Sequence, residues 1–66
     1  MKLSNFIEGL QIFAKYEDPE NHIIVTADDD QIFLRTDREL STEDYRRIGD
    51  LGWFGSSFSG CWSVFV

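Results

Sequence analysis

Cysteine, histidine and proline each occur once in this chain, and each scarcity removes a class of function. A single cysteine, Cys61, cannot form an internal disulfide, so noncovalent packing is expected to hold the fold in a reducing, cytoplasmic setting. His22 has no recognisable partner for general-base work, and Cys61 has no neighbouring base in sequence to activate it. One Cys and one His do not make a structural zinc site. The run of about 18 apolar residues that a membrane-spanning helix needs is missing. Met1 to Asn5 lacks the apolar stretch of a secretory signal, so none is expected. A glycine-rich phosphate loop, a Ser/His/Asp arrangement and a catalytic carboxylate pair are likewise missing, so neither an enzyme nor a cofactor is expected. Asp28-Asp29-Asp30 resembles a calcium loop only superficially, because the glycine and the distant glutamate of an EF-hand do not follow.

Basic residues are the next shortage. Six Lys and Arg face twelve Asp and Glu in 66 residues, a net charge of −6. Such a balance argues against non-specific attraction to nucleic acid or to an anionic membrane. The excess is local: residues 17–44 hold ten acids against Arg35 and Arg38, whereas the segments on either side are each close to neutral.

What the chain does have is apolar and aromatic residues, 42% and 15% of the total, enough for one small domain over residues 1–66. Leu3, Phe6, Ile7, Leu10, Phe13 and Ala14 recur at helical spacing and predict a helix ending near Tyr16, with Ile12 off the stripe. Asn5 with Glu8, or Ser4, would cap its start. Glu17 to Asn21, around Pro19, is turn chemistry. His22–Thr26 and Gln31–Thr36 read as a hairpin turning at Asp28-Asp29-Asp30. A second helix starts at Ser41 as N-cap, with Asp44 at the capping-box position and Leu40 with Tyr45 as a hydrophobic staple. Tyr45, Ile48 and Leu51 form its buried stripe, Arg47 sits between Glu43 and Asp50 at helical spacing, and Gly52 ends it. Cys61–Val66 alternates as a closing strand, and Trp53-Phe54 begins another. The expected fold is α+β, with order α-β-β-α-β(-β) and two helices on one face of a small antiparallel sheet.

Two surfaces are candidates for binding. The first is acidic: Glu17, Asp18, Glu20, Asp37 and Glu39 gather at one end of the hairpin, and Asp28, Asp29 and Asp30 at the other. Turns and helix starts favour acids on their own account, and acidity favours solubility. The functional alternative is that the carboxylates imitate nucleic-acid phosphates, spaced about 1.7 Å per charge along duplex DNA, and occupy a Lys/Arg-lined groove. Asp44 as a cap and Glu43 beside Arg47 are less available. The second surface is aromatic: Trp53, Phe54, Phe58, Trp62 and Phe65 exceed what one face of a short strand can bury. A core role is the first reading for them, and Phe54 and Phe58, flanked by glycine and serine, are the expected exposed anchors.

The pattern Lys15-Tyr16, Pro19-Glu20, Asp30-x-Ile32, Ser41-x-Glu43-Asp44, Leu51-Gly52-Trp53-Phe54, Cys61-Trp62 and Phe65 resembles a family of short acidic proteins of phages, prophages and other mobile elements. That resemblance implies the same fold and no catalytic motif. By analogy of size and charge it implies an anti-defence inhibitor, an anti-CRISPR-type DNA mimic. The expected partner is a protein with a basic, nucleic-acid-binding groove such as a CRISPR effector, met by a monomer. Direct contact with nucleic acid or membrane is not expected. The second reading is a protein-interaction adaptor that binds through aromatics.

Overall fold

A computed structural model describes residues 1–56 and 60–66. Helix α1 spans Leu3–Ala14 and is followed by a hairpin of strands β1 (Ile24–Ala27) and β2 (Gln31–Arg35). Helix α2 spans Thr42–Asp50, and strands β3 (Trp53–Ser56) and β4 (Cys61–Phe65) close the chain. The four strands form one antiparallel sheet in the order β1-β2-β4-β3. The α+β order α-β-β-α-β-β is thus the one expected from the sequence.

Strand register assigns the two sheet faces. Trp53 pairs with Val64, Gly55 with Trp62, Ile32 with Val64 and Leu34 with Trp62. Alternation along each strand puts Trp53, Trp62, Val64, Ile32 and Leu34 on one face. Both helices cover that face: Phe13 of α1 meets Trp53 and Trp62 edge-on at 5.1 and 5.8 Å, and Tyr45 of α2 meets Trp62 at 5.3 Å. Leu34, Ile48 and Val64 are fully buried there.

Helix α2 follows its local signals. Ser41 accepts a bond from the Asp44 N–H at 3.2 Å, and Gly52 takes the left-handed conformation (φ 100°) that ends the helix. Tyr45 departs from the expected buried stripe: it is 45% exposed and lies over Trp62. Helix α1 departs further. Its N-cap is Lys2, with no side-chain cap, and neither Ser4 nor Asn5 takes that role because both lie inside the helix. The buried residues are Gly9, Ile12 and Phe13, while Leu3 and Ile7 are exposed, so the helix is rotated about its axis from the expected stripe. The indole of Trp53 sets the rotation by lying directly on Gly9.

The first strand begins two residues later than expected, at Ile24 instead of His22, and its pairing is irregular between Ile24 and Thr26. His22 therefore belongs to the preceding loop.

Candidate functional site

The acidic residues occupy three environments. Some are committed to the fold. Glu8 makes a two-pronged contact to Arg47, with Oε1 2.8 Å from Nη2, which joins α1 to α2. Arg47 is therefore engaged between helices and not mainly with Glu43 as expected. Asp44 lies 2.8 Å from Lys15 Nζ and accepts the Tyr16 hydroxyl at 2.5 Å. The Lys15 contact, then the Tyr16 hydroxyl, lowers the Asp44 carboxyl below its ordinary range. Arg47 does the same for Glu8.

Glu17 was expected to be free and is not. It accepts the Thr36 hydroxyl at 2.5 Å and the Asn21 amide at 3.1 Å, and the Thr36 bond chiefly holds its pKa low. Thr36 is itself only 2% exposed, so Glu17 anchors the α1–β1 loop to the end of β2. Asp18 accepts the Glu20 backbone N–H at 2.9 Å and closes a local turn. These two carboxylates carry structural work as well as charge.

The remaining candidates, Glu20, Asp28, Asp29, Asp30, Asp37 and Glu39, are exposed. They separate by sheet end as expected. Asp28 to Asp30 form the β1–β2 turn, fixed by the Asp28 N–H donating to Gln31 O and by Asp30 O accepting from the Val66 N–H, each at 2.8 Å. Glu20, Asp37 and Glu39 lie toward the other end with Glu17 and Asp18. That end is of mixed charge. Glu17, Asn21, His22, Ile23, Arg35 and Asp37 line an open polar cleft of about 450 Å³. The Asp28–Asp30 turn holds three exposed carboxylates in succession, and both ion pairs among the described residues use other acids.

The aromatic surface lies on the sheet face away from the helices. Phe54 and Phe65 are 45% and 54% exposed and stack with centroids 5.4 Å apart. Phe33 pairs with Ser63, and Ser63 with Phe54, which places all three phenylalanines on this open face. Phe54 is a surface aromatic as expected, and Phe58 lies outside the described residues. Phe33 was missed as a site residue, and Phe65 belonged to the expected aromatic set without being singled out as an anchor. Alternation along β4 identifies Phe65, but Phe33 emerges only once β2 is known to lie beside β4.

Among the described residues, no group of three or more His, Cys, Asp or Glu side chains is arranged to hold a metal ion. No described helix is long and apolar enough to cross a membrane. Comparisons with protein-family models, curated proteins and solved structures find no match.

Proposed function

We propose that this chain is a non-enzymatic binding protein that occupies a basic, nucleic-acid-binding groove of another protein, its carboxylates standing where phosphates would lie. The observation that carries the reading is the Asp28–Asp30 turn, three adjacent exposed acids at one end of the sheet. Glu20, Asp37 and Glu39 extend the negative field at the other end. The two groups lie at opposite ends of the β1–β2 hairpin, so in this reading they meet separate cations of one groove. The class of action this suits is anti-defence inhibition, with a CRISPR-type effector as the kind of target.

Charge-driven association is steered by the summed field and weakens as salt screens it, with a Debye length of about 8 Å at physiological ionic strength. The test is competition with duplex DNA for a basic effector across a salt series. Asp28/Asp29/Asp30→Lys is expected to fold normally and to lose at least tenfold in competition, and Asp37/Glu39→Lys to lose less. Full competition by both folded variants would end the reading.

The stacked, exposed Phe54 and Phe65 favour a second reading, an adaptor that binds through its open aromatic face. Binding that is insensitive to salt but lost in Phe54→Ala would select it.

A further inference from the structure

The helices leave β1 largely uncovered. Trp53, Trp62 and Val64 are almost wholly buried beneath them, whereas Ile24 on β1 is 57% exposed. β1 is also an edge strand, so one row of its backbone N–H and C=O groups has no neighbour in the sheet. The Asp28 N–H turns inward to Gln31 O, so strand alternation directs the Ala27 N–H outward.

Edge strands are ordinarily guarded by lysine or proline. Residues 16–34 contain no Lys or Arg, and Pro19 lies well before the strand. Only the irregularity between Ile24 and Thr26 interrupts this edge. Beside it, toward α1, Leu10, Phe13, Ala14, Pro19, Ile24 and Leu34 form an apolar depression of about 90 Å³. Liquid water occupies about 30 Å³ per molecule, so this is space for one aliphatic side chain. Glu17 and Asp18 border the depression, Glu20 lies in the same loop, and Asp28 to Asp30 follow the strand.

We propose that β1 is a docking edge for an extended cationic segment of a protein partner, added as a fifth strand. Main-chain bonds to β1 give affinity, an aliphatic side chain fills the depression, and flanking Lys or Arg residues meet the acids at either end. This deepens the basic-partner reading above and rests on it. What it adds is the conformation of the bound segment and its place on the sheet.

The test is titration of the ¹⁵N-labelled protein with acetyl-Lys-Val-Lys-Leu-Lys-Val-Lys-amide, and with the same peptide N-methylated at every internal backbone nitrogen. Methylation preserves charge and side chains but removes the donors of a strand ladder. The unmodified peptide is expected to bind at least tenfold more tightly and to slow exchange of the Ala27 amide at least tenfold. Ala27→Pro, which deletes an outward donor that an edge tolerates losing, should weaken binding at least tenfold. Ile24→Lys alters an exposed side chain and should do the same, which guards against a folding defect in the proline variant. Equal, salt-sensitive binding of both peptides would overturn strand addition while leaving the charge reading intact. Binding of neither peptide would also overturn it, and the charge-reversal competition would then decide the parent reading alone.

Discussion

The Tyr16 hydroxyl sits where two helices and a loop converge. It accepts the Ser41 N–H at 3.0 Å and donates to Asp44 at 2.5 Å. In an ordinary capping box the side chain three residues into the helix reaches back to the cap's own N–H. Here Tyr16, two residues past the end of α1, completes that circuit, so the start of α2 is capped partly by the turn that follows α1. Ser41→Ala should cost about 1 kcal/mol in urea unfolding. Tyr16→Phe should also destabilise, and the double variant should fall short of the sum because one circuit is lost in both. Additive losses would show that the two groups act separately. The Ser41 cap was legible because its partners lie within a few residues. The Tyr16 relay was not, because it spans 28 positions. The occupation of Glu17 by Thr36, 19 positions away, was hidden for the same reason. A list of acids read from sequence therefore overstates how many are free.

Helix α2 carries its own start, stop and amphipathic pattern, so its limits were readable. Helix α1 carries apolar residues on more than one side, and the sheet decides which of them are buried. Phe6 stacks on Trp53 at 6.3 Å and Phe13 meets it edge-on, so the indole fixes the rotation of a helix some forty residues earlier. Gly9 is the point of closest approach. A methyl group there would collide with the Trp53 ring nitrogen, whereas one at Gly49 on α2 would meet nothing within 4 Å. Alanine is the better helix former by about 1 kcal/mol. Gly49→Ala should therefore stabilise the protein by up to about 1 kcal/mol. Gly9→Ala should destabilise it by about 1–3 kcal/mol through overpacking. Chemical denaturation of the pair measures both, and a stabilised Gly9→Ala would mean that α1 is not seated on Trp53.

Over the whole molecule, the sheet order β1-β2-β4-β3 inserts the last strand between the first hairpin and β3. The pairing of residues 31–35 with 61–65 thereby ties the two halves of the chain together. Local patterns fix strands but carry no record of which strands become neighbours, so the open aromatic face had to wait for the register. The charge imbalance was plain from composition, whereas its division into bonded and free acids was not. Glu8, Glu17 and Asp44 all have folded-state pKa values lowered from ordinary values of 4.5, 4.5 and 3.8. A lowered folded pKa means that the unfolded chain binds protons more readily. The stabilisation is complete above those ordinary values and is lost as pH falls below about 4.5. The urea midpoint should therefore decline from pH 6 to pH 3, and less steeply in Glu17→Gln/Asp44→Asn. Parallel profiles for the two proteins would place the acid sensitivity elsewhere.

The two tryptophans have a practical consequence for spectroscopy. Both indoles are almost wholly buried, and their N–H groups have no hydrogen-bond acceptor among the described residues. Their emission should be blue-shifted in the native protein and move to the red on unfolding, giving a label-free fluorescence signal of global denaturation. Trp53 lies on β3, at the opposite edge of the sheet from β1 and roughly 14 Å away at about 4.8 Å per strand. Trp62 lies nearer, on β4 opposite the Leu34 that lines the β1 depression, so a change in emission on seating a ligand at β1 should come chiefly from Trp62.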